Sequence, residues 1–185
     1  MKKNILITML AAAVICGCAA DKSKQQASAG HENDAVAESQ VGEAANGEET
    51  GSLAPDFTLN DLNGKPLTLS SLRGQYVILD FWGSWCGWCV KGFPKMKEYY
   101  TKYKGKFEII GIDCNDTKDK WRAAVANYDM PWKHVYNPRG SRLAEQYGVQ
   151  GYPTKIIIDP KGKVEYVVVG EDPAFYRYLD KLFQK

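Results

Sequence analysis

From residue 53 to residue 185 the chain alternates two hydrophobic rhythms. Tyr76 to Trp82 and Phe107 to Asp113 are almost continuously apolar over strand length, the pattern of strands buried in a sheet. Beyond Cys86 the rhythm becomes helical, with Val90, Phe93, Met96 or Lys97, Tyr100 and Tyr103 on one face and Pro94 expected to kink the helix. Lys118 to Tyr128, around Trp121 and Val125, predicts a second helix, and Ser141 to Tyr147 a shorter one ended by Gly148. Pro173 to Phe183 predicts a closing helix, with Pro173 suited to its first turn. Two hairpins frame this series. Phe57 to Leu59 and Pro66 to Leu69 flank Asn63-Gly64, while Thr154 to Asp159 and Val164 to Val169 bracket Pro160-Lys161-Gly162-Lys163. Strands alternating with helices predict a parallel central sheet, and the late hairpin gives it an antiparallel edge. The expected fold class is therefore α/β, a three-layer sandwich, without internal repeats.

Upstream the pattern breaks twice. Residues 1–18 carry Lys2 and Lys3 ahead of an apolar stretch from Ile5 to Ile15, then Cys16-Gly17-Cys18. That stretch falls short of the roughly 20 apolar residues a membrane span needs, so it reads as a secretion signal. Residues 19–52 contain no aromatic residue, Leu or Ile, and such a segment cannot bury enough apolar surface to offset its ordering entropy. It is expected to be a disordered tether with a root-mean-square reach of roughly 30 Å. Residues 53–185 form the folded domain.

Charge changes this picture little. The tether holds two Lys against seven acids, whereas residues 53–185 hold 20 basic against 15 acidic side chains. No basic run is interleaved with aromatics, so the surplus reads as solvated surface and no nucleic-acid partner is expected.

Cysteine changes it more. Trp85-Cys86-Gly87-Trp88-Cys89 follows directly on the Tyr76 to Trp82 run, which contains an acid, Asp80. A CxxC can be half a zinc site, a structural staple or a redox pair. Zinc would need two further ligands, and the domain offers only Cys114 and His134, without a second CxxC. A staple closing so short a loop contributes only about 2 kcal/mol. A thiol between a strand's carboxyl end and a helix's amino end faces orphan N–H donors and the positive helix terminus, which stabilise thiolate. The redox reading is preferred, with zinc and stapling as the alternatives. No metal and no cofactor are expected. Cys86 should be the exposed nucleophile and Cys89, one turn in, the buried resolving partner. A carboxyl on an apolar strand has its pKa raised by desolvation, which suits Asp80 to proton transfer. Cys114 reads as an inert strand-end thiol, Lys91 as a solvated cation, and Trp121 and Trp132 as core.

Four stretches together resemble the thioredoxin superfamily, and within it the membrane-tethered TlpA/ResA-like thiol-disulfide oxidoreductases grouped with the AhpC/TSA family. They are Ala54-Pro55-Asp56-Phe57-Thr58-Leu59, Leu69-Ser70-Ser71-Leu72-Arg73-Gly74, Asp80-Phe81-Trp82 leading into Trp85-Cys86-Gly87-Trp88-Cys89, and Gly151-Tyr152-Pro153-Thr154. The resemblance implies a thioredoxin-like sandwich, its central mixed sheet flanked by helices, with an N-terminal hairpin extension. It implies that Asp80 moves the proton of Cys89, that Pro153 is a cis-proline opposite the disulfide, and that Tyr152 offers its backbone to an extended substrate. Trp85 and Trp88 are expected to contact substrate, with simple packing as the alternative. Two positions depart from the pattern. Trp88 stands where thioredoxin has proline, and Gly92 stands where the tethered branch often carries a glutamate, which leaves proton handling to Asp80. Separately, Ile15-Cys16-Gly17-Cys18 resembles a bacterial lipoprotein cleavage box, implying lipidation of Cys18; an ordinary signal peptide cut near Ala20 is the alternative.

The function expected is an extracytoplasmic, periplasmic-side, lipid-anchored thiol-disulfide oxidoreductase. It would act as a monomer, reduce disulfides of exported proteins, apocytochromes in cytochrome c maturation among them, and be recharged by a membrane or periplasmic reductant. Two alternatives stand beside it. A peroxiredoxin-like thiol peroxidase would need Thr three and Pro seven residues before its cysteine, and Cys86, Cys89 and Cys114 all lack both. A non-catalytic lipoprotein binding module would have no need of Cys86, Cys89, Asp80 and Pro153 together.

Overall fold

The computed structural model describes residues 51–184. The expected signal at 1–18, its Cys18 and the tether as far as residue 50 lie outside the described residues. In chain order the elements are β1 (Thr58–Asn60), β2 (Pro66–Thr68), a 3-10 turn (Leu69–Leu72), β3 (Tyr76–Trp82), α1 (Gly87–Lys102), β4 (Phe107–Cys114), α2 (Lys118–Asn127), β5 (Lys133–Asn137), α3 (Leu143–Gln146), β6 (Thr154–Ile158), β7 (Val164–Val169) and α4 (Pro173–Phe183).

A five-stranded sheet runs β5-β4-β3-β6-β7, and β1 with β2 forms a separate hairpin. β3, β4 and β5 are parallel; β6 lies antiparallel against β3 and β7 antiparallel against β6. The sheet is therefore mixed, as the family resemblance implied. Strand β3 is central because all but its first residue is buried, so both its faces must be covered. Ile78 and Trp82 look into one cluster with Phe93 and Met96 of α1, Trp121 of α2, and Phe175 and Leu179 of α4. Leu79 and Phe81 look into the other, with Leu69, Leu143 and Tyr147. Alternation along β3 thus puts Asp80 on the α1 and α4 face, with Ile78 and Trp82.

Caps fix where the helices begin. Asp172 accepts from Ala174 N at 2.7 Å at the start of α4, and Thr117 accepts from Lys120 N at 3.4 Å at the start of α2. Helix α1 passes through Pro94 without ending there. Its most covered residues are Cys89, Gly92, Phe93, Met96 and Tyr99, so the buried stripe runs through Tyr99, and the expected Val90 and Tyr100 are only half-buried. Asp180 ties α4 to α1 by accepting from Tyr99 Oη at 2.9 Å and Lys102 Nζ at 2.7 Å. Strand β5 and the 3-10 turn were not among the expected elements. In the first hairpin, Asp61 Oδ1 accepts from both Asn63 N and Lys65 N at 2.8 Å, and Gly64 takes φ +78° to close the turn.

Candidate functional site

Cys86 and Cys89 are joined as a disulfide with Cα atoms 5.3 Å apart. Cys86 is the N-cap of α1, and its Sγ accepts from Cys89 N at 3.1 Å. That donor belongs to the first turn of the helix, where amide hydrogens lack intrahelical partners, so a thiolate formed at Cys86 has one already aimed at it. The expectation of an exposed Cys86 needs correction. It is 6% exposed against 2% for Cys89, so it is the more accessible of two largely covered sulfurs. The exposure lies instead in the flanking indoles, Trp85 at 53% and Trp88 at 64%.

The approach to Cys86 is held from the end of β4. Ser84 N and Oγ donate to the Asp116 carboxylate at 2.6 and 2.7 Å, and Trp85 Nε1 donates to the Cys114 carbonyl at 2.8 Å. The Trp85 ring meets Tyr152 edge to face, with centroids 5.2 Å apart. Trp88 carries the Lys91 ammonium 4.5 Å from its ring centroid, so Lys91 is engaged in a cation–π contact where it was expected to be merely solvated. The Tyr152–Pro153 peptide is cis, as the resemblance implied, and Gly170 N donates to Pro153 O at 2.7 Å.

Gly83 makes the Trp85 contact possible. A Cβ there would lie 2.4 Å from Trp85 Nε1 and 2.8 Å from the Cys114 carbonyl. Gly83→Ala is therefore expected to expel the indole, break its hydrogen bond and cost about 1–3 kcal/mol. A red-shifted tryptophan emission and a lower denaturation midpoint would report it; an unchanged spectrum would contradict this account.

Asp80 lies beneath this surface, almost fully buried, with Oδ1 lacking a hydrogen-bond partner among the described residues. Burial is the main reason its carboxyl is pushed up to about 6; Lys155 pulls it down and Glu171 pushes it up. A carboxyl with that affinity exchanges protons near neutral pH. Asp113, which sequence reasoning did not select, is also buried, and burial together with the neighbouring Asp116 pushes it up to about 8. Lys155 and Glu171 were likewise not selected. Each looks ordinary alone, a lysine opening a strand and a glutamate in a loop. Cys114 is buried and its thiol is pushed up to about 12 by burial, consistent with an inert sulfur.

The model of the AhpC/TSA family matches residues 50–167. The thiol-disulfide oxidoreductase ResA of Bacillus cereus is 38% identical over 137 residues, which covers 72% of this chain and 79% of that one. The ResA of Bacillus subtilis is 37% identical over 121 residues, 65% of this chain and 67% of that one. Among solved structures, the thioredoxin domain of a thiol-disulfide oxidoreductase from Bacteroides vulgatus superimposes with a TM-score of 0.67 at 30% identity, over 72% of this chain and 97% of that one. A thiol:disulfide interchange protein from Bacteroides sp. gives a TM-score of 0.66 at 31% identity, over 74% and 91%.

Proposed function

We propose, from the premise that this chain belongs to the AhpC/TSA family and is a ResA-like thiol-disulfide oxidoreductase of the thioredoxin superfamily, that it reduces disulfides of exported proteins outside the cytoplasm. The observation that carries this is the Cys86–Cys89 disulfide at the N-cap of α1, flanked by the exposed Trp85 and Trp88. In the reduced form the Cys86 thiolate attacks a substrate disulfide. A Cys86–substrate bond forms and one substrate thiolate leaves. Cys89 gives its proton to Asp80, attacks Cys86 Sγ, and releases the second substrate thiolate as the Cys86–Cys89 bond closes. Two electrons pass to the substrate, whose sulfurs take up two protons, and a membrane-side or periplasmic dithiol donor must return the pair to the reduced state.

In this reading an extended substrate segment docks against Trp85 and Tyr152, whose rings meet beside the cis Tyr152–Pro153 peptide, with the backbone of Tyr152 offering strand-like hydrogen bonds and the exposed Trp88 adding contact area. The sequence of residues 1–52 supports a lipid on Cys18 and a tether holding the domain off the membrane. Apocytochromes c, whose paired cysteines can close into a disulfide, are the substrate class proposed within exported proteins. The buried Cys114, with its thiol pushed up to about 12, gives no support to a peroxidatic role for that sulfur.

The test is a trap. A Cys89→Ser form expressed in its host should accumulate mixed disulfides between Cys86 and exported proteins, released by dithiothreitol and missing when Cys86→Ala is added. Recovery of no exported protein would refute the proposed substrate class.

A further inference from the structure

Lys155 is a cation inside the domain. It is 2% exposed on β6, and the antiparallel register sets it directly opposite Asp80 on β3, so both side chains leave the sheet on the face covered by α1 and α4. A buried ammonium is tolerated when it is paired, and two carboxylates compete for this one. Glu171 has it: Lys155 Nζ donates to Glu171 Oε2 at 2.7 Å.

Three features keep Glu171 in place. Tyr176 Oη donates to its Oε1 from α4. Gly170, at φ +86°, turns the chain between β7 and Glu171. Helix α1 leaves a gap for the carboxylate at Gly92, three residues beyond Cys89, where a Cβ would lie 2.3 Å from Oε2 and 2.6 Å from Cδ. On its other side Glu171 borders an open cavity of about 420 Å³, lined also by Lys91, Lys95, Tyr99, Tyr176 and Arg177.

We propose that Glu171 is a positioning residue of the redox site: by holding the Lys155 ammonium at the Gly92 gap, it keeps that cation from pairing with Asp80, which can then take and return the proton of Cys89. This rests on Asp80 being the proton acceptor for Cys89. The missing glutamate on α1 is then accounted for, because the carboxylate reaches the same stretch of helix from the β7–α4 connection and Gly92 is what admits it. Without Glu171, the ammonium would turn to Asp80, the buried carboxylate directly opposite it in the register, and hold it ionised.

The groups around Asp80 come from each neighbouring element. Lys155 is on β6, Glu171 follows β7, Tyr176 is on α4, Asp113 shares the sheet face two residues beyond Gly111, the partner of Asp80 on β4, and α1 brings Cys89 on its buried side. Cys114, which also feels the Asp80 charge, lies on the opposite face. Removing the Glu171 charge takes away a repulsion and releases an attraction, and both lower the proton affinity of Asp80.

Carboxyl-carbon NMR on the full chain can follow Asp80 directly, while the pH profile of disulfide reduction follows it in turnover. The wild-type carboxyl should titrate near 6, and in Glu171→Gln it should titrate about one pH unit lower or more, with the matching limb of the rate profile moving equally. Gly92→Ala keeps Glu171 but crowds it off Lys155, and should shift Asp80 in the same direction; it decides the matter if Glu171→Gln does not fold. An Asp80 titration that stays put or rises overturns the proposal. Should Asp80→Asn leave the wild-type limb intact, the role of Asp80 itself fails. A limb that is lost in Asp80→Asn yet unmoved by Glu171→Gln removes Glu171 alone.

Discussion

Cys86→Ala is expected to bring catalysed reduction of a protein disulfide down to the uncatalysed rate, a loss of at least about 10³-fold, because no other group in the domain can supply the attacking sulfur. Cys89 cannot substitute. It is 2% exposed and sits inside the first turn of α1, packed in the cluster with Phe93 and Met96. Cys114 cannot either, since it is buried and its thiol is pushed up to about 12. The loss should appear in turnover and in a single encounter alike, measured as mixed-disulfide formation with a protein or glutathione disulfide. Cys89→Ser must behave differently: the first attack survives and the covalent adduct accumulates. If Cys86→Ala retained turnover, or if Cys89→Ser failed to form an adduct, the assignment of attack to Cys86 would fall. Far-ultraviolet circular dichroism would confirm that both variants stay folded, which the modest stability a four-residue loop contributes leads one to expect.

Much of this site could be read before the fold was known because its chemistry is local. The cysteines sit three residues apart, so any helix starting between them puts one at the cap and one a turn inside. Strands β3 and β7 and helix α4 begin and end where hydrophobic pattern, hairpin turn and Pro173 placed them. Strand β5 was missed for a physical reason. Lys133-His134-Val135-Tyr136-Asn137 lacks an apolar run, yet His134 is buried, its ring kept neutral as burial pushes it down to about 4, with Nε2 at 3.3 Å from Met130 O. The predicted helix at 141–147 shrinks to Leu143–Gln146, where Arg142 provides no side-chain cap.

The Lys155–Glu171 pair was unreadable for a different reason. Its members stand 16 residues apart and meet through the turn back from β6 to β7, while Lys155 faces Asp80 through the register of β6 on β3. Register is a property of the whole sheet. A one-residue slip would send Lys155 to the opposite face and set Thr154 or Ile156 opposite Asp80.

Asp80→Asn should have two effects of opposite sign. Disulfide reduction at neutral pH should fall by about 10²-fold, since Asn holds the same space but cannot accept the proton of Cys89. The oxidised domain should at the same time become more stable, and only on one side of a pH window. The carboxyl is pushed up to about 6 from an ordinary 3.8, chiefly by burial, so between those values the folded state binds more protons than the unfolded one. Stability from this group is therefore fully present below about 3.8 and is lost as pH rises through about 6. Above the window the wild type carries a buried ionised carboxylate at a cost of about 3 kcal/mol, which Asn does not incur. Denaturant titrations of the two proteins should nearly coincide at pH 4 and diverge by up to that amount at pH 8. Equal differences at both pH values would mean that Asp80 does not titrate inside the folded domain. It would then be a structural acid, and the proton of Cys89 would have to go elsewhere.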